Sequence, residues 1–397
     1  MLHDRAGLTV STRRFEVVEA IDRFVDELLS HGQQAAVILE AAELDPDAPL
    51  AQACAAALYL FLQTREGVQR ARPWLARAHA AAARGANERE RHLLAALDAW
   101  AAGQPQRALV QHLEVARRWP RDLLNAKLAQ IHQLGLGDRS GMRALSEALL
   151  PHNEGVSYAW GLHAFALEQV GEFAAALKAG ERAVAMNPDD PWAQHAVAHV
   201  FDALGRLDEG IAWLLAHSPR WKRCSSFMFT HNWWHVALLH LSRGEGDAAL
   251  ALYDRCVWGV RKTYVQDQVN AVSLLARIEQ HGLDIGPRWA DLAAHVRPRI
   301  HDRQSVFFDL HFAYALARAG DDEAVAELLG GIAAQARCSS LPAWRELAVP
   351  AARGVVAHAR HRLRDAALEL QPLASRMHLL GGSTAQQGWF ASMCGAR

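Results

Sequence analysis

The densest chemistry in the chain lies in two histidine pairs. His195 and His199 stand in HAVAH, and His231 and His235 in HNWWH. Each pair is spaced i,i+4, so both imidazoles of a pair fall on one face of a helix. Imidazole changes charge near neutral pH and, when neutral, ligates transition metals through a ring nitrogen. Two such faces brought together would offer four nitrogens to one ion at Zn–N near 2.1 Å, or a set of acid/base groups to a substrate. HxxxH lacks the built-in base of HExxH, and no carboxylate ligand stands close in sequence. Metal binding and direct acid/base use are therefore equal alternatives. The cofactor the pattern admits is a divalent metal, Zn, Fe or Mn, held by His195, His199, His231 and His235. The reaction class that fits these residue types is hydrolysis or elimination on a small amide, ester or amino-acid-like molecule.

A second tier of polar residues follows. His311 has Asp309 two residues before it, and Asp309 is expected to orient the imidazole through a hydrogen bond. Asp267 and Asn270 open the stretch between. Substrate contacts are assigned to Trp192, Asn232, Trp234, Asn270, Asp267 and Cys224. For Trp233 and Trp234, packing between helices outweighs stacking on a substrate. Cys224 lies seven residues before His231, but a buried structural thiol outweighs a nucleophile there. Thr230 is expected to cap a helix that starts near His231. No glycine-rich phosphate loop, GxSxG elbow or EF-hand pattern occurs.

The elements that must position these residues are helices. Strand alternation is rare, and Ala and Leu recur at helical spacing almost throughout. Residues 155–188 read as a helical hairpin, with Gly171 at its turn and Asn187-Pro188 at its close. Trp160, Gly171, Ala176 and Ala183 match the tetratricopeptide pattern. Turn glycines recur at Gly32, Gly67, Gly103, Gly137, Gly171, Gly205, Gly244, Gly282 and Gly320. Their spacings are 35, 36, 34, 34, 34, 39, 38 and 38 by subtraction. A final pair, residues 349–373, carries His361-Arg362 in place of the glycine. The fold class is all-α, a superhelical solenoid of about ten hairpins. It is read as one domain, 1–397, with N-terminal repeats in 1–150, the histidine-rich groove in 151–397, and a capping helix near Ser383 to Met393. In repeat numbering with the turn glycine at 15, His195 and His199 fall at positions 5 and 9. His231 and His235 fall at 2 and 6, and His311 at 6. All five therefore sit on first helices, which line the concave side of such arrays.

Composition bounds the rest. The chain has 397 residues, 51% of them hydrophobic, which supports a large core and excludes global disorder. A net charge of -1 does not suit a general nucleic-acid or anionic-membrane binder. The five cysteines are scattered with no CxxC pair, which argues for a reducing compartment. The N-terminus has no apolar h-region, and no run reaches the ~20 apolar residues of a membrane span. A soluble, cytoplasmic monomer or homodimer is expected, with a small molecule or peptide in its groove.

Four runs carry a resemblance. They are HAVAHVFDALGRLDEGIAWL, FTHNWWHVALLHLSRGEGDAALALYD, NAVSLLARIEQHGLDIGPRW and FFDLHFAYALARAG. With the tail GGSTAQQGWF, they resemble the tetratricopeptide repeat protein 38 family over residues 158–390. The resemblance implies an all-α repeat fold and recurring HxxxH, HNxWH and DxH elements. These match His195, His199, His231, His235, Asp309 and His311. It implies no reaction. The chain departs from the family pattern at Asn270, where an Asp is usual, and at Gln387-Gly388, where Arg-Asp is usual. Two functions stay open: an enzyme using the histidines on a small polar substrate, or a scaffold holding a peptide or partner protein along the groove.

Overall fold

The computed structural model describes residues 1–394. It is an all-α helical solenoid of twenty-one α-helices. The strands among the described residues are one short antiparallel pair, Leu2–His3 with Thr9–Val10. Successive helices pack as hairpins: Pro49–Leu60 on Arg65–Gly85, Glu88–Ala101 on Pro105–Arg118, Ser157–Gln169 on Phe173–Met186, and Ala348–Ala359 on Leu363–Leu370. Buried alanines such as Ala53, Ala56, Ala71 and Ala78 make close approach possible in the first of these.

The turns follow from backbone sterics. Gly103, Gly137, Gly171, Gly205, Gly244, Gly282 and Gly320 all take φ between 66° and 83°, a region costly for residues with a Cβ. The first two turns differ from expectation. Gly67 lies inside the first turn of the helix Arg65–Gly85, where the Thr64 hydroxyl accepts its N–H at 2.9 Å. The left-handed position there belongs to Gln63, and before Gly32 it belongs to His31. At the last turn His361 takes a φ of 57°, where the sequence places a non-glycine.

The described residues form two compact units. The first comprises Met1–Gln133, Arg139–Val200 and His217–Ser225. Its apolar core includes Val17, Ile21, Phe24, Ile38, Leu50 and Leu60. Around that core runs a buried polar network. Arg89 Nη1 donates to Asp122 Oδ2 at 2.7 Å, and Asn125 Nδ2 donates to the same oxygen at 2.9 Å. Asn125 Oδ1 meets His112 Nδ1 at 2.8 Å. The helix Glu88–Ala101 starts with a capping box between Asn87 and Glu90, and Glu90 also accepts from Ser11 N at 2.8 Å. That bond ties the N-terminal strand pair to the repeats.

The second unit comprises Leu134–Asp138, Phe201–Ala216 and Ser226 onward. Here the first helices stand side by side: Ser226–Ser242 against Val265–Gln280, then Val306–Arg318, then Ala348–Ala359. Hydrogen bonds cross from one repeat to the next. Trp234 Nε1 donates to Ser273 Oγ at 3.0 Å, and Arg318 Nη1 to Ala359 O at 3.1 Å. The tail packs as a last helix, Thr384–Met393, capped by Ser383 and buried through Trp389 and Phe390. Arg277 Nη2 donates to Ala385 O at 2.9 Å and holds the tail to the ladder.

Candidate functional site

The first histidine pair rides on the helix Pro191–Ala203. Asp190 starts this helix by accepting from Ala193 N at 3.0 Å, and Pro191 fits its first turn. His195 and His199 are both buried, with Nε2 atoms 2.9 Å apart. Phe165 and Trp192 pack on His195, with ring centroids 5.5 and 4.8 Å away. On the far side of His199, Nδ1 lies 3.4 Å from Glu168 Oε2. Glu168 is buried, at the end of the helix Ser157–Gln169. Sequence reasoning placed no carboxylate near this pair. Glu168 stands thirty-one residues before His199, about one repeat, and the one available signal was its place on the preceding first helix.

The second pair rides on the helix Ser226–Ser242. His231 Nδ1 meets Asn270 Oδ1 at 3.1 Å. An amide oxygen only accepts, so Nδ1 carries the proton and Nε2 keeps its lone pair. Trp234 stacks on His231 with centroids 5.3 Å apart and planes 9° from parallel. His235 stands edge-on to both. The residues around this pair are thus aromatic on one side and an orienting amide on the other.

His195 and His199 belong to the first compact unit, and His231 and His235 to the second; all four imidazoles are buried. The 2.9 Å between the Nε2 atoms of the first pair is a hydrogen-bond distance, shorter than the roughly 3.4 Å between neighbouring ligands of a tetrahedral ion with bonds near 2.1 Å. Glu168 beside Nδ1 of His199 and Asn270 at Nδ1 of His231 are the polar neighbours of the two imidazoles.

His311, Asp309, Asp267 and Cys224 have contacts of their own. Asp309 does not orient His311. Its carboxylate pairs with Arg303, and His311 Nδ1 meets Phe307 O at 2.7 Å. Residues two apart on a helix point to different sides, which separates the two functions. Burial raises Asp309 to a pKa of about 7, and burial lowers His311 to about 3. His311 is packed by Trp389 and Phe390. Asp267, also raised by burial to about 7, accepts from Thr230 Oγ1 at 2.8 Å and from Ser226. Thr230 is therefore no cap: the helix begins at Ser226, and Thr230 lies a turn inside it. Cys224 is buried, with its thiol pushed up to about 12, so it holds no thiolate near neutral pH. Asn232 is buried, Trp234 is fully buried, and Trp192 is half-buried.

No family model matches the chain. Among solved structures it is similar to the APC/C hetero-tetramer Cut9–Hcn1, at TM-score 0.41 and 12% identity over 95% of this chain and 66% of that one. It is also similar to the human IFIT1 dimer with m7Gppp-AAAA, at 0.39 and 12% over 97% and 90%. A third is the P58(IPK) TPR domain, at 0.24 and 12% over 78% and 97%. The likeness is one of helical fold. No helix among the described residues is long and apolar enough to cross a membrane.

Proposed function

We propose that this chain is a tetratricopeptide-like solenoid whose four histidines hold a divalent metal ion and work with it on a small polar substrate, by hydrolysis or elimination. The observation that carries the reading is the burial of both i,i+4 pairs, with the Nε2 atoms of His195 and His199 2.9 Å apart and Asn270 at Nδ1 of His231. Nitrogen-only donors suit Zn or Fe rather than Mg or Ca, and suit Mn, the third metal expected, less well. Four neutral imidazoles leave the ion's charge uncompensated, and Glu168 beside His199 supplies the nearest negative charge. A bound ion would act as a Lewis acid on a carbonyl, with any position beyond the four nitrogens left to substrate or water. Asn270 fixes His231 without adding charge, so this chain would hold its ion less tightly than a relative with Asp there.

The test is elemental analysis of the purified chain after exchange against Zn, Mn or Fe(II), beside a His231→Ala, His235→Ala variant. Near-stoichiometric metal in the native chain and its loss from a variant of unchanged helicity are expected. A folded native chain that takes up none of the three metals sinks the reading. Turnover would then be sought on small amides and esters, where His231→Ala is expected to abolish activity.

The second reading is a scaffold that binds a peptide or partner protein along the first helices. What favours it is the side-by-side ladder of first helices in the second unit, the surface that stacked hairpins offer to extended partners. Membership of the tetratricopeptide repeat protein 38 family, a cytoplasmic location and a monomeric or homodimeric state belong to the same proposal.

A further inference from the structure

The chain places its positive charge almost wholly on arginine. Four of its 42 basic residues are lysines: Lys127, Lys178, Lys222 and Lys262. Lys178 and Lys222 are exposed, and Lys262 pairs with Asp291 at 2.7 Å. Lys127 is different. It lies on the helix Leu123–Leu136 and is 3% exposed. Its Nζ is 3.2 Å from His31 Nε2 and 3.7 Å from the centroid of the Trp192 ring. Among the described residues no carboxylate forms an ion pair with it. The acid it feels is Asp190, whose Oδ1 is committed to the start of the helix Pro191–Ala203. An arginine here would stay charged at every pH; a lysine need not. Burial brings Lys127 down to about 7, against about 10.4 for a free lysine.

His31 is held in place at a cost. Its φ of 53° is left-handed, an uncommon conformation for a residue with a Cβ. Ser225 N donates to His31 O at 2.6 Å, Gly32 bridges to Cys224, and Gln33 Nε2 donates to Cys224 O at 2.8 Å. The imidazole stacks on Trp192, centroids 5.3 Å apart. His31 and Trp192 are both half-buried, and the amine lies against the imidazole nitrogen of the one and the ring face of the other.

We propose that Lys127 is a nucleophilic amine that forms an imine with a small aldehyde or ketone, with His31 moving protons and Trp192 backing the planar carbonyl. The neutral nitrogen attacks the carbonyl carbon, forming the C–N bond. One amine proton passes through His31 to the oxygen and gives the carbinolamine. The second follows the same route, the C–O bond breaks, and water leaves. Two protons travel from nitrogen to oxygen, nothing is oxidised or reduced, and the products are imine and water.

The test treats the full native chain with glycolaldehyde and cyanoborohydride, which reduces the imine to a stable amine, and reads each lysine by peptide mass spectrometry. Lys127 is expected to react tenfold or more faster than Lys178 and Lys222 at pH 7, with a rate midpoint near pH 7 rather than above pH 9. His31→Gln is expected to slow trapping at Lys127 severalfold and leave the other lysines unchanged. Because the comparison is made inside one native molecule, it does not depend on a variant folding. Lys127 reacting no faster than the exposed lysines overturns the proposal, as does a midpoint above pH 9 at Lys127.

Discussion

His132 shows how burial alone sets a residue's behaviour. Its ring lies edge-on to Trp100 and parallel to His112, and it is 4% exposed. Burial, then the neighbouring His112, lowers its pKa to about 3 from an ordinary 6.5. The unfolded chain takes up a proton below pH 6.5 that the folded chain refuses. Stability from this site is therefore whole above pH 6.5 and falls as pH drops toward 3. His132→Phe keeps a ring and removes the penalty. Relative to the native chain, the variant is expected to gain about 2 kcal/mol between pH 7 and pH 5, since 1.4 kcal/mol corresponds to one pH unit. Urea unfolding at the two pH values measures it, and a difference independent of pH would contradict the assignment. The same scale explains why Asp309 and His311 separate. The DxH spacing was visible in the sequence, but a two-residue step on a helix sends the carboxylate to Arg303 and the imidazole to Phe307 O.

At the level of elements, turns and inter-repeat bonds hold the array. Gly171 has a φ of 81°, and a Cβ there meets its own backbone rather than a neighbouring residue. Gly171→Ala is expected to cost about 1–2 kcal/mol from backbone strain alone. Gly85→Ala, at the end of the helix Arg65–Gly85 with open space around it, should be near neutral or stabilising. Thermal unfolding of the pair separates the two. Arg89 is the stronger case. It and Asp122 are both buried, and truncation would strand a carboxylate that also holds Asn125. Arg89→Ala is expected to destabilise by about 3–5 kcal/mol, measured by denaturant unfolding. An effect under 1 kcal/mol would mean that the network adds nothing beyond packing.

For the whole molecule, the proposed metal binding would be linked to folding. An ion held only by the folded chain stabilises it by about 2.7 kcal/mol at a hundredfold excess over its dissociation constant. Chelation is therefore expected to lower the unfolding temperature of the native chain by a few degrees and leave the His231→Ala, His235→Ala variant unmoved. Calorimetry with and without chelator reads this, and equal shifts in both proteins would place the effect elsewhere.

Much of this architecture is local and so was legible in one dimension. Turn glycines every 34–39 residues, i,i+4 histidines and the closing helix near Ser383 to Met393 each follow from helix period or backbone sterics. Local rules also account for two misreadings. Gly32 and Gly67 look like the other turn glycines, yet the left-handed conformation falls on His31 and Gln63. The start of a helix at Ser226 rather than His231 was missed although Ser225, a residue type favoured just before a helix, precedes it. What the amino-acid order determined by itself was a helical array with histidines gathered on first helices. What tertiary structure decided was which distant group stands beside each of them: Glu168 at His199, Asn270 at His231, His31 over Lys127. Those partners lie from about thirty to nearly a hundred residues away. Helix periodicity sets a residue's face, whereas the neighbour across that face is set by packing between elements, which no local pattern encodes.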